Sequence, residues 1–209
     1  MGRPRLLTRE RIVEAAAALV DAEGLEAVSV RRLAAELGVA GPSLYNHFPT
    51  KAEILDAVAD AVVSRVDVSF FGSHDWREAL RLWAQSYHAA LSAHPNIVPV
   101  LAHGPGRRPA ALAMADAVYG ALIDAGWPEA RATHIGALMR YLVTGSALGS
   151  FALGFAGDPE LYELYPHLNR AHLLAEHQRS VDEGAFVLGL DMLIAGLDRL
   201  YASLKGVRA

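Results

Sequence analysis

The segment Val39-Ala40-Gly41-Pro42-Ser43-Leu44-Tyr45-Asn46-His47-Phe48 holds one short helix between two chain breaks. Gly41 suits the N-cap and Pro42 the first helical position, so a helix is predicted over 42–47, and Pro49 ends it. Leu44 and Phe48 read as core, whereas Tyr45, Asn46 and His47 are polar or amphipathic. Behind it, Thr50-Lys51-Ala52-Glu53 is a capping box in which the Thr50 hydroxyl and Glu53 carboxylate satisfy exposed backbone N–H groups. It should open a connecting helix over 51–66. In front, Ser29 is the cap of a helix that turns Val30, Leu33, Ala34 and Leu37 inward and stops at Gly38. A first helix is predicted over 8–22, capped by Thr8, with Ile12, Ala16, Leu19 and Val20 on one face and Gly24 as its stop.

Two short helices joined by a glycine-containing turn form a helix-turn-helix, whose second helix enters the major groove of DNA with its N-terminus leading. Such a tip needs small residues for close approach, supplied here by Gly41, Pro42 and Ser43. It also needs donors for phosphates or base edges, which Tyr45, Asn46 and His47 provide. Tyr45 can alternatively be a half-buried packing residue, and Arg32 a solvated charge.

Charge is distributed in keeping with this. The net charge is −4, yet residues 1–51 carry about +1 and the remainder about −5. Arg3, Arg5, Arg9 and Arg11 concentrate the positive charge at the start. The Gly2-Arg3-Pro4-Arg5 arm can enter a minor groove or remain an unstructured tail.

Apolar residues recur at helical spacing through the rest of the 209 residues, and no alternating strand pattern is flanked by hairpin turns. The fold class is therefore all-α, with nine or ten helices. Rear helices are predicted over 76–93, 96–101, 109–125, 128–155, 168–179 and 183–204. The boundary falls at Phe70-Phe71-Gly72-Ser73, giving a DNA-binding domain over 1–50, a connecting helix over 51–66 and a larger domain over 67–209. A hydrophobic content of 53% is high for a soluble monomer and points to a covered apolar face, hence a homodimer.

Cysteine is absent, which excludes disulfides and thiolate chemistry. The stretch 135–156 is interrupted by Arg140 and is too short to span a bilayer, and the N-terminus lacks an apolar signal segment, so no membrane association is expected and the protein reads as cytoplasmic. Gly-x-Ser-x-Gly, Gly-Lys-Ser/Thr and His-Glu-x-x-His motifs are missing, and no enzyme chemistry is signposted. His167, His172 and His177 are spaced by five, which turns them to different helix faces, so no metal site is expected. Gly145-x-x-x-Gly149 allows a close helix crossing, either between subunits or at a pocket-side kink.

The 39–48 segment with Lys51 behind it, together with Ser29-Val30-Arg31-Arg32-Leu33-Ala34, resembles the signature of the tetracycline-repressor (TetR) family of transcriptional regulators. The resemblance implies a homodimer on a palindromic operator, acting as a repressor released by a small-molecule inducer, with no cofactor. It implies phosphate contacts from Ser29, Lys51, Tyr45 and His47, a phosphate or guanine contact from Arg31, and base-facing positions at Gly41, Pro42, Ser43 and Asn46. The rear half is similar to the tetracycline-type subgroup, through His94-Pro95-Asn96, Val100-Leu101-Ala102-His103-Gly104 and Arg107-Arg108-Pro109, and through residues 185–197 as a closing dimerisation helix. His103 stands where that subgroup has a ligand- or metal-contacting histidine, but Trp83, Val118 and Asp67 stand where it has polar pocket residues. An apolar or aromatic inducer touching Trp83, Tyr87, His103, Val118 and Tyr141 is expected in place of tetracycline. Trp83 and Tyr87, spaced i, i+4, can equally be plain core. The alternative function is an interaction or ligand-binding protein whose front domain no longer reads DNA.

Overall fold

The computed structural model describes residues 7–101 and 107–206; the basic arm at 2–5 and His103 lie outside them. Every regular element among the described residues is helical: α1 Arg9–Glu23, α2 Val30–Leu37, α3 Gly41–Tyr45, α4 Lys51–Val63, α5 Trp76–Ser92, α6 Val98–Leu101, α7 Pro109–Asp124, α8 Glu129–Ala147 and α9 Gln178–Gly206, with short 3₁₀ turns between. The chain forms two compact units, residues 1–67 with 89–117, and residues 68–88 with 118–209.

In the first unit α1 packs against α2 and α4, and α2 against α3. The apolar stripe Ile12, Ala16, Leu19 and Val20 is buried, and Leu33, Leu44, Phe48, Ile54 and Val58 are buried with it. The segment following Leu91 joins this unit through polar bonds. The Asn96 amide donates to the Val20 carbonyl at 2.9 Å. His94 sets Nδ1 2.8 Å from an Asp21 oxygen and Nε2 3.0 Å from the Arg65 guanidinium, so its ring links α1 to the chain beyond α4. The Asp60 carboxylate accepts from the N–H groups of Ala110 and Ala111 at 2.9 and 3.2 Å, which caps the start of α7. Buried Arg108 donates to the Val100 carbonyl and lies 3.5 Å from Asp56. These bonds explain why residues 89–117 belong to the front unit although they follow the predicted boundary.

In the second unit Trp76, Trp127 and Tyr201 form an aromatic cluster with centroids 5.1–5.3 Å apart, and the Tyr201 hydroxyl donates to the Ala125 carbonyl. Arg77 pairs with Asp198 at 2.5 Å, and Arg81 pairs with Asp191, which fastens α5 to α9. The helices α8 and α9 approach closely at Gly189, where a Cβ would lie 3.1 Å from Leu142 Cδ1.

Two rear predictions are corrected. The helix expected over 128–155 stops at Ala147, because Gly145, Gly149 and Ser150 weaken it and the Asp182 carboxylate accepts from the Phe151 N–H at 3.1 Å, favouring a separate turn over Ala152–Phe155. The helix expected over 168–179 is a 3₁₀ turn, Ala171–His177, that leads directly into α9 at Gln178, five residues before the predicted start.

His88 on α5 stacks on Phe186 of α9, centroids 3.9 Å apart and planes 10° from parallel. Burial pushes its pKa below the ordinary 6.5, opposed by the Glu183 carboxylate. A histidine whose folded pKa is depressed stabilises the fold in its neutral form, so this contribution is present above the ordinary value and lost as pH falls through the depressed one. The melting midpoint is expected to drop on acidification through this range, and the drop should be smaller in His88→Phe. Equal pH slopes for the two proteins in differential scanning calorimetry would assign the acid sensitivity elsewhere.

Candidate nucleic-acid interface

The residues predicted to face DNA lie at three helix starts and along one short helix. Ser29 caps α2 by accepting the Arg32 N–H at 3.2 Å, which leaves its hydroxyl proton available to a phosphate oxygen. Arg31 is exposed and pairs with no carboxylate among the described residues. Arg32 differs from the solvated charge considered above, since it pairs with Glu23 at 2.8 Å and links α2 to α1. Both side chains are half exposed, so the pair contributes about 0–1 kcal/mol.

The turn between α2 and α3 is set by Gly38, in the left-handed region at φ 68°, with the Val39 N–H returning to the Ala34 carbonyl at 3.0 Å. Ala40, one residue before the predicted cap, is the N-cap, and α3 begins at Gly41. A Cβ on Gly41 would meet only Val30 Cγ1, at 4.0 Å. Nothing inside the protein therefore demands glycine there. Leu44 and Phe48 are wholly buried, while Pro42, Tyr45 and Asn46 are exposed and Ser43 and His47 partly so. Tyr45 is 54% exposed, so its ring is half covered by the protein and half open to a partner. The helix ends at Tyr45, shorter than predicted, and Asn46 and His47 form the turn after it.

At the start of α4 the Thr50 hydroxyl accepts the Glu53 N–H at 3.2 Å, which is the threonine half of the capping box. Lys51 Nζ lies 3.6 Å from a fully exposed Glu26 carboxylate. Such a loose surface pair contributes little and would cost little to exchange for a phosphate of DNA, whose charges are closely spaced along the duplex. Sequence reasoning counted Arg9 only toward the positive charge of the N-terminus. Its guanidinium donates to the His47 carbonyl and lies 3.9 Å from the Phe48 ring centroid.

Residues 12–58 match the model for bacterial regulatory proteins of the tetR family, and residues 71–201 match the tetracyclin repressor-like C-terminal domain. The chain belongs to the TetR family. It is 32% identical over 205 residues to the class C tetracycline repressor protein of Escherichia coli, covering 93% of this chain and 92% of that one. It also resembles ActR of Streptomyces coelicolor. A crystal structure of ActR in complex with (S)-DNPA superposes with a TM-score of 0.75 at 31% identity, covering 94% of this chain and 98% of that one. In another, ActR is in complex with actinorhodin, with a TM-score of 0.73 at 30% identity, covering 92% of this chain and 97% of that one. As a TetR-family member the protein is an all-α, DNA-binding transcriptional regulator.

Of the expected ligand contacts in the second unit, Trp83, Tyr87 and Val118 are buried, each 2–3% exposed. The Trp83 and Tyr87 rings lie 5.8 Å apart, and Phe71 lies 6.1 Å from Trp83. Trp83 Nε1 is buried with no hydrogen-bond partner among the described residues, as are the indole nitrogens of Trp76 and Trp127. An unmet buried N–H costs about 1–3 kcal/mol, which an acceptor on a bound molecule would recover. Tyr141 stands apart from this cluster at 63% exposed, because α8 turns Met139 and Val143 inward and leaves the residue between them outside. A separate open groove of about 690 Å³ is lined by Phe71, Trp76, Arg77, Asp124, Tyr201 and Lys205 among others, and includes none of the predicted ligand residues.

Proposed function

We propose that this TetR-family protein is a homodimeric repressor that occupies a palindromic operator and is released by a small, mainly apolar aromatic molecule. The observation that carries the DNA half is the exposure of Tyr45 and Asn46, at the end of α3 and in the turn after it, between Leu44 and Phe48, which are completely buried. A segment so anchored presents its polar side rigidly, which base readout requires. In this reading Ser29, Tyr45, His47 and Lys51 hold phosphates, Arg31 holds a phosphate or guanine, and Gly41, Pro42, Ser43 and Asn46 face the bases. The DNA-binding domain is residues 1–50 with its connecting helix over 51–66, and residues 67–209 carry ligand binding and dimerisation in the cytoplasm.

The ligand half rests on the buried Trp83–Tyr87 pair, with Val118, also buried, His103 and Tyr141 as further candidate contacts. An aromatic ligand with an acceptor group would stack on the rings and meet the Trp83 N–H. ActR has been crystallised in complex with actinorhodin, and a TetR variant of Acinetobacter baumannii in complex with minocycline, in keeping with a small-molecule inducer here. Dimerisation uses the exposed apolar residues of α8 and α9. Gly145 and Gly149 have open space where a Cβ would be, which leaves room for a second subunit.

The test is a fluorescence-anisotropy titration against duplexes selected by the protein from a random-sequence library, at two salt concentrations, with and without a panel of aromatic compounds. Tight, salt-sensitive binding released by one compound is expected. Tyr45→Ala should weaken binding to all duplexes alike and lower the slope of log affinity against log salt, by up to about one phosphate contact. An unchanged affinity would retire Tyr45 as a phosphate anchor, and failure to select any duplex would favour a front domain that no longer reads DNA.

A further inference from the structure

We propose that Arg9 is a positioning residue for DNA recognition, holding the turn that follows α3 in the register that base readout needs. The inference rests on the DNA-binding reading above. Its grounds are geometric. Arg9 is the first residue of α1, where a cation opposes the helix dipole and does little for its own helix. Its side chain instead crosses to the recognition segment, donating to the His47 carbonyl and covering the ring of fully buried Phe48 at 3.9 Å.

Without this contact, the segment after α3 is held by two other kinds of anchor. One is local backbone bonding, from the His47 and Phe48 N–H groups to the Leu44 carbonyl at 3.0 and 2.9 Å. The other is burial of Leu44 and Phe48. The local bonds fix the shape of the segment, but as contacts within one turn they do not fix its position relative to α1. Arg9 supplies a polar, directional link between the two. A planar guanidinium is suited to this, since one edge donates while a face lies on the aromatic ring. The residues so placed are Asn46 and His47, assigned to a base and a phosphate respectively.

Readout of bases by hydrogen bonds tolerates little displacement, whereas attraction to phosphates tolerates more. Losing Arg9 is therefore expected to reduce discrimination between DNA sequences more than total DNA affinity.

The experiment compares wild-type protein with Arg9→Met and Arg9→Lys, using the duplex selected by the wild type and a scrambled duplex of the same composition, over a series of salt concentrations. Methionine keeps an unbranched stem over Phe48 and loses the donor. Arg9→Met should lower the preference for the selected duplex about tenfold, the size of one mismatched base pair. The salt slope on the scrambled duplex should stay at the wild-type value. Arg9→Lys, which keeps the charge but not the planar donor, should show the same direction of loss. An unchanged preference in Arg9→Met overturns the proposal, as does a salt slope lower by about one, which would make Arg9 a phosphate contact. Should Arg9→Met fail to fold by circular dichroism, Arg9→Lys is judged on the same two quantities. If the wild type itself selects no duplex, it is the DNA-binding reading that has failed.

Discussion

Replacing Leu188 and Met192 together by glutamate is expected to convert the protein from dimer to monomer and to lower its affinity for its operator at least about a hundredfold. Both residues lie on α9 at i, i+4, and both are exposed, at 61% and 67%. Val187 on the same helix and Leu138 and Tyr141 on α8 are exposed as well, so the two helices carry an apolar surface that a single subunit leaves in water. Two carboxylates on each subunit would have to be desolvated opposite their copies, which opposes association strongly. A monomer would engage one half-site where a dimer spans two separated by about one helical turn of DNA, and would retain little beyond non-specific affinity. Analytical ultracentrifugation reads the first effect and anisotropy titration the second. A variant that stays dimeric would place the interface away from these residues.

The second large effect is expected from Phe48→Ala. Phe48 is completely buried, as are Leu44 and Ile54 of the front unit, and its removal should cost about 3–5 kcal/mol of stability. The cost comes from lost apolar burial and from the cavity left behind. The ring also carries the Arg9 guanidinium, so the mutation removes one of the supports of the recognition segment. Chemical denaturation should show an earlier unfolding transition, and specific DNA binding should fall at temperatures where the wild type is fully active. A midpoint within the error of wild type would mean that the ring is not part of the front core.

Much of the front unit was legible in the sequence because its signals are local. Thr8, Ser29 and Thr50 each have a side-chain oxygen followed by a helix, and all three accept a backbone N–H in the manner that capping chemistry requires. Gly38 takes the left-handed conformation that the stop of α2 needs. The alternation of buried Leu44 and Phe48 with polar neighbours follows from helical periodicity, and so does the exposure of Tyr45 and Asn46.

What depends on distant partners was not legible. Helix α8 was predicted to continue because its apolar pattern does, but Asp182, thirty-one residues further on, accepts the Phe151 N–H and stabilises a separate turn. Tyr141 is expected from sequence as one of the contacts of an aromatic inducer, and only the orientation of α8 shows it exposed while Trp83 and Tyr87 are buried. Arg32 reads as one more surface charge until Glu23 is found beside it. Arg9 is the clearest case, because His47 lies thirty-eight positions further along and no local pattern relates the two. Helix caps and apolar periodicity act over a few residues, and the sequence by itself therefore determined the helix-turn-helix and its exposed face. Pairings across helices depend on packing angles that no local pattern encodes, and only the tertiary structure decided which cations are paired across helices, as Arg9 and Arg32 are, and which, like Arg31, remain exposed.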